Sequence, residues 1–437
     1  MKFSGKNSRW RRDLNPCTRL CRPLPRLSAT PPHTNPEDWI LRADDRVRTG
    51  DLNLGKVPRY QLRYVRKADA IYRRNAPAPK PGGFGRLTAY PSSMSSSSRF
   101  ASGEALFWGD GLLAFGLEEV RHDVAALSEP GFWAVVANFE GEYTFARFAE
   151  VAPSPTPPGA PAWTPGTLEW RSSMTQEAYL AGVEQIRSEI ARGRVYQVNL
   201  CRVLSAEMTP ELDLLPLAVH LSAGNPAPFA RYLRIPGMEI VSASPERFLS
   251  RDGSAVLTTP IKGTATTAND LLEKDNDENV MIVDLMRNDL GSICTTGSVT
   301  VPRLLALEKH PGLVHLVSDV RGELRDGISW AEILQSTMPP GSVSGAPKST
   351  AVQIIRELEP TPRGPYCGAI GWVHGERGEL AVGIRTFWSD GDRTQIKFGT
   401  GAGITWGSDP GGEWRETELK AARLIALASG NEVASLS

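Results

Sequence analysis

Apolar and polar positions alternate regularly only from about residue 130 onward. "GFWAVVANFEGEYTFARFAEV" alternates around Glu140-Gly141 and predicts two strands joined by a tight turn. The proline-rich run "VAPSPTPPGAPAWTPG" then predicts a semi-rigid loop or linker. Leu180, Val183, Ile186 and Ile190 recur at helical spacing, with Ser173 and Gln176 in a capping-box pattern and Gly193 where a C-cap belongs. "VYQVNLCRVL" predicts a strand rich in β-branched residues. Further strands are expected around 240–249, 256–260, 380–389 and 394–406, and helices around 270–290, 329–337, 346–358 and 414–428. Strands and helices mix without strict βα alternation, which predicts an α+β architecture.

The first 93 residues break this picture. They carry no sustained period of 3.6 or 2, and hold 20 Lys+Arg against 7 Asp+Glu. The remaining 344 residues hold 29 basic and 42 acidic side chains, so a net charge of zero hides an uneven chain. The composition of residues 1–93 is that of disorder. Two stretches, "WRRDLNPCTRLCRPLPRLSATPP" and "ADDRVRTGDLNLGKVPRYQLRYVR", look like translated tRNA genes. The expectation is a disordered basic segment arising from a mis-assigned start, with Met94 the natural one. A basic nucleic-acid arm is the rival reading. Residues 94–170 are expected to form a short N-terminal subdomain with the Pro-rich linker, and 171–430 the main domain. No apolar run approaches the roughly 20 residues of a membrane span, and no apolar stretch backs the N-terminal charges. The expected location is cytoplasmic, without membrane or nucleic-acid partner. The cysteines at 17, 21, 201, 294 and 367 are scattered and fit reduced thiols better than zinc.

Four segments carry candidate chemistry. In "PIKGT", Pro260 and Gly263 frame Lys262 tightly, and a dry or cationic site would make that amine a nucleophile. By itself the pattern fits an exposed lysine as well. Asp275/Glu278 and Glu413/Glu416 are acidic pairs at helical spacing of three. They suit either solvated helix faces or a hard dication such as Mg2+. Lys420 shares the face of Glu416. In "FGTGAGITWG", alternating Gly399, Gly401 and Gly403 bare one face of a strand, which marks close approach of a ligand or backbone. Arg385 in "GIRTF" offers a planar fork for a carboxylate. "PPGSVSGAPKST" delivers Lys348 and Ser349 to a helix start but lacks the phosphate-loop order.

Together these segments resemble the chorismate-utilising family of anthranilate, aminodeoxychorismate, isochorismate and salicylate synthases. The resemblance runs from about Phe132 to Ala428 through "GRVYQVNL", "SASPERFL", "PIKGT", "ENVMIVDLMRNDLG", "HLVSDV", "PPGSVSGAPK", "IIRELEPTPRGPYCGAIGW", "AVGIRTF", "GTGAGI" and "EWRETELKA". It implies an anthranilate synthase component I-like sandwich of two large antiparallel sheets with helices outside, 171–430 being the chorismate-binding catalytic domain. It places Mg2+ on Glu278 and Glu416, with Asp275 and Glu413 acting through water. Chorismate's carboxylates fall to Tyr366, Arg385, Gly401, Gly403 and Lys420, and its ring to Thr264 and His315. Glu246 corresponds to the general acid for the C4 hydroxyl. Gln197 stands where water-adding members carry a lysine base, which disfavours isochorismate and salicylate synthesis. Lys262 marks the aminodeoxychorismate branch, where it resembles the nucleophile at C2; the alternative is C2 amination, as in anthranilate synthases. With no glutaminase "GxCxG" elbow in view, the ammonia implies a separate glutamine amidotransferase subunit.

Overall fold

The computed structural model describes residues 103–265, 267, 273–310 and 313–431; the segment 1–93 and Met94 lie outside the described residues. Six α-helices occur among the described residues: α1 Gln176–Ala191, α2 Leu215–Gly224, α3 Glu273–Gly291, α4 Trp330–Thr337, α5 Lys348–Leu358 and α6 Pro410–Ala428. Eighteen strands join them in one connected hydrogen-bonded network whose ladders are antiparallel. The α+β class read from the sequence is therefore the class adopted. Strands of the 94–170 segment pair directly with later ones, Leu106–Gly109 with Phe229–Ile235 and Phe132–Ala137 with Ala369–His374, so the two segments share this network. The Pro-rich loop is tied down too. Trp163 Nε1 donates to Ala428 O at 2.8 Å, and Trp170 Nε1 to Ser429 Oγ at 3.1 Å.

Two hydrophobic clusters hold the elements together. The larger takes Tyr179 and Val183 of α1, Ile282 and Met286 of α3, Trp330 of α4 and Ile354 of α5 against the inner strand faces. The smaller packs Leu221 of α2 and Leu424 of α6 on Trp108, Phe387 and Phe398. Each such aliphatic or aromatic side chain contributes roughly 1.5–3 kcal/mol on full burial, and this is what fixes the helices to the sheet.

Several sequence expectations need correction. The N-cap of α1 is Thr175, whose hydroxyl accepts from Ala178 N–H; Ser173 Oγ instead accepts from Val203 N–H at 3.0 Å, a tertiary contact that wins over the local box. Gly193 does follow the helix end in the left-handed region, φ +73°. The strand expected at 240–249 is two, Met238–Ser244 and Arg247–Asp252, and that at 380–389 is Arg377–Val382 and Thr386–Asp390. The two interruptions lie side by side. Val382 N–H donates to Glu246 O at 3.0 Å, and Ala243 N–H to Arg385 O at 3.0 Å.

Candidate active site

The paired interruptions create the site. Strands Arg247–Asp252 and Ala255–Thr259 pair with Arg247 opposite Thr259, so Glu246 faces the Pro260-Ile261 step. Pro260 has no N–H to donate, which interrupts the ladder there. The Ile261 N–H is near enough to the Glu246 carboxyl to act against the rise of its pKa. Glu246 is 4% exposed, and burial pushes its carboxyl up to about 7. Three weaker effects oppose that rise: a hydrogen bond from the Ser342 hydroxyl, the positive charge of Lys262, and the Ile261 N–H. Lys262, half-buried on Ile261–Ala265, donates from Nζ to Ser342 O at 3.0 Å. A carboxyl poised near neutrality beside an amine is an arrangement suited to proton transfer at one atom and attack at a neighbouring one. Sequence reasoning named Glu246 and Lys262 but missed Ser342, whose carbonyl receives Lys262. The signal available was the run of small residues in "GSVSG".

The loop that carries Ser342 is clamped. Val343 O accepts from Arg363 Nη1 at 2.9 Å, Ser344 O from Asn199 N at 2.8 Å, and Ala346 O from Tyr196 N at 2.7 Å. Arg363 is 1% exposed; it stacks 4.1 Å over Phe139 and pairs with Glu359 at 2.6 Å. Lys348, at the helix start that follows this loop, is not free for a ligand. Its Nζ donates to Asp289 of α3 at 2.7 Å and to Thr337 O at 2.8 Å, so the ammonium is already paired. Burial pushes the Asp289 carboxyl up to about 6 despite Lys348.

Arg385 sits in the second interruption with φ +52°, an uncommon conformation for a side-chain-bearing residue. Its guanidinium has no ion-pair or hydrogen-bond partner among the described residues, and burial lowers its pKa. Both features favour an anion beside it. Next to it in the fold, Gln395–Ile404 pairs along its whole length with Gln197–Glu207, whereas its other edge is paired with Thr386–Asp390 only at Lys397 and Phe398. The strand face bared by Gly399, Gly401 and Gly403 is approached closely by protein groups. A Cβ on Gly399 would enter the Tyr366 ring, one on Gly401 would meet Cys201 Sγ, and one on Gly403 the Gln197 amide. Tyr366 is buried beneath this strand, its hydroxyl accepting from Cys201 Sγ at 3.8 Å, and burial raises the phenol's pKa. Lys420 Nζ reaches Gly401 O at 3.2 Å and pairs with Glu416 at 2.7 Å. Gln197 is 2% exposed, and its Oε1 has no hydrogen-bond partner among the described residues.

His315, 3% exposed, stands opposite Thr264 in the ladder beside Lys262. The side chains of Thr264 and Asp275 lie outside the described part of the structure. Glu278 projects from α3, and Glu413 and Glu416 from α6. These donors have the right chemistry for a hard dication. Among the described residues, which leave out the Asp275 side chain, no three carboxylates, thiols or imidazoles stand close enough together to enclose a metal ion. No helix among the described residues is long and apolar enough to cross a membrane.

Comparison with known proteins bears on this geometry. Aminodeoxychorismate synthase component 1 of Bacillus subtilis is 38% identical over 262 residues, covering 56% of this chain and 54% of that protein. Anthranilate synthase component 1 of Streptomyces coelicolor is also 38% identical, over 286 residues, covering 62% of this chain and 55% of that protein. The chain thus matches about half the length of these curated relatives. Among solved structures, a putative 2,3-dihydroxybenzoate-specific isochorismate synthase from Bacillus anthracis superposes with a TM-score of 0.64 at 22% identity, covering 76% of this chain and 98% of that one. That likeness concerns the fold, and it agrees with the antiparallel α+β network above. A family model described as chorismate binding enzyme matches residues 57–426, an interval that opens upstream of Met94 and takes in every residue of the site, and the chain belongs to that family.

Proposed function

We propose that this chain aminates chorismate at C4, giving 4-amino-4-deoxychorismate, with ammonia supplied by a separate glutamine amidotransferase subunit. The observation that carries the reading is the buried Glu246 carboxyl, held at about 7 beside Lys262. Expelling a hydroxyl needs a proton donor that is still protonated near neutrality. In the proposed sequence, Lys262 gives a proton to solvent and its amine attacks C2; the two ring double bonds shift, and the C4 hydroxyl takes the Glu246 proton and departs as water. Ammonia then bonds to C4, both double bonds shift back, and the lysine amine leaves C2. The proton shed by the new C4 nitrogen returns to the Glu246 carboxylate. Arg385, Tyr366, Lys420 and the backbone at Gly401 and Gly403 would receive the substrate carboxylates, and Thr264 and His315 the ring.

Magnesium dependence belongs to the same proposal and rests on donor chemistry alone. Glu278 and Glu416, with Asp275 and Glu413, would hold the ion, whose charge would offset the substrate's carboxylates. The product would enter the p-aminobenzoate and folate route. The test incubates the purified protein with chorismate, magnesium and ammonium, and resolves products by liquid chromatography and mass spectrometry. An aminodeoxychorismate peak, converted to p-aminobenzoate by an added lyase, is expected. Anthranilate instead would overturn the C4 assignment and establish the C2 alternative.

A further inference from the structure

Lys348 ties together both ends of the loop that receives Lys262. It is the first residue of α5, and its Nζ donates at 2.8 Å to the carbonyl of Thr337, the last residue of α4. One side chain therefore closes residues 338–347 into a ring, and a bond across the ends of a loop cuts the conformations open to it. The same ammonium pairs at 2.7 Å with the buried Asp289 of α3. Met286 and Leu285 lie three and four residues before Asp289, on the same face of that helix. They press on Gly341 so closely that a Cβ there would have no room. Ser342 follows, and its carbonyl accepts from Lys262 Nζ at 3.0 Å. The far half of the loop is held elsewhere, by Arg363 on Val343 O, Asn199 on Ser344 O, and the pairing of Gly345 and Ala346 with Val198 and Gln197. The near half rests on α3, on the end of α4, and on the Lys348 bridge between them.

We propose that Lys348 is a positioning residue: its ammonium staples α3 and the end of α4 to the start of α5, and so fixes the Ser342 carbonyl where it receives the Lys262 amine. The proposal deepens the amination reading and takes the role of Lys262 from it. Apolar residues of similar size often stabilise a fold as well as a buried ion pair does, so stability alone does not call for this bridge. Aim does. The ammonium spends separate N–H groups on Asp289 and on Thr337, which sets direction as well as distance. Misplacing a reacting group by about 1 Å can cost roughly 100-fold in rate.

The experiment reads Lys262 directly in the ligand-free, full-length protein. Its amine is trace-labelled with isotopic acetic anhydride and quantified by peptide mass spectrometry against Lys397 of the same molecules. Lys348→Met combined with Asp289→Leu removes both charges and keeps much of the volume, so the urea midpoint should stay close to that of the natural chain. Lys262 labelling should nevertheless rise about fivefold, the equivalent of one hydrogen bond. The kcat should fall roughly tenfold or more, with KM for chorismate unchanged. Asp289→Asn keeps an acceptor at both ends of the bridge and should label like the natural chain. If the double variant does not fold, Lys348→Met alone carries the same reading, since Asp289 can then take up a proton. Unchanged Lys262 labelling in the folded variant, or Asp289→Asn labelling like the double variant, overturns the proposal. The labelling needs no substrate. Raised labelling in the variant, while the natural chain makes no aminodeoxychorismate, would thus support the staple and refute the amination reading.

Discussion

Ionised Glu246 should destabilise the fold, and removing its charge should be visible as a pH-dependent gain. The carboxyl sits at about 7 in the folded chain against an ordinary 4.5, chiefly because it is buried. Each pH unit of displacement corresponds to about 1.4 kcal/mol, so the full cost is about 3 kcal/mol. Below 4.5 both folded and unfolded chains carry the proton and nothing is lost. Above 7 both are ionised and the whole cost is present. Stability therefore falls as pH rises between these values. Glu246→Gln, which is nearly isosteric and uncharged, should be more stable than the natural chain by about 3 kcal/mol at pH 8 and by less than about 1 kcal/mol at pH 5. Urea unfolding followed by tryptophan fluorescence at the two pH values reads the difference directly. The same variant should lose roughly 100-fold or more in amination rate, the usual contribution of a general acid. A stability difference that is equal at both pH values, or a loss at pH 8, would refute the assignment of a buried, charge-averse carboxyl.

Other consequences are independent of that group. Arg363→Ala strands the buried Glu359 carboxylate and the carbonyls of Val343 and Asn199, and should cost about 3–5 kcal/mol in urea unfolding. Gly399→Ala drives a methyl into the Tyr366 ring and should cost about 1–3 kcal/mol, whereas Gly407→Ala, which meets open space, should cost far less. Arg385→Gln should weaken chorismate binding measured by equilibrium dialysis by roughly tenfold or more, with the urea midpoint little changed, because the guanidinium holds nothing else among the described residues.

The sequence pattern disclosed the elements better than the site's walls. Helices α3 to α5 begin and end within a few residues of expectation because local signals agree with packing. Ser329, for example, forms a true capping box with Glu332. Thr175 displaced Ser173 as a cap because Ser173 is drawn to Val203 on another strand, a contact no local window contains. The breaks at Glu246 and Arg385 were illegible for the same reason: each exists only because the neighbouring strand breaks beside it. Glycines 399, 401 and 403 announced a close approach, but whether by ligand or by Tyr366, Cys201 and Gln197 depends on the pairing register of Gln197–Glu207. Glu246 and Lys262 were legible through resemblance to a family. Ser342 was not, because its contacts span 80 residues of chain to Lys262.

The most direct test of the central claim is the product made by Lys262→Ala beside the natural chain, with chorismate, magnesium and ammonium, together with chorismate binding by equilibrium dialysis. The account predicts aminodeoxychorismate from the natural chain, and from the variant retained binding with that product strongly reduced or redirected. The same aminodeoxychorismate at an unchanged rate from Lys262→Ala would contradict it.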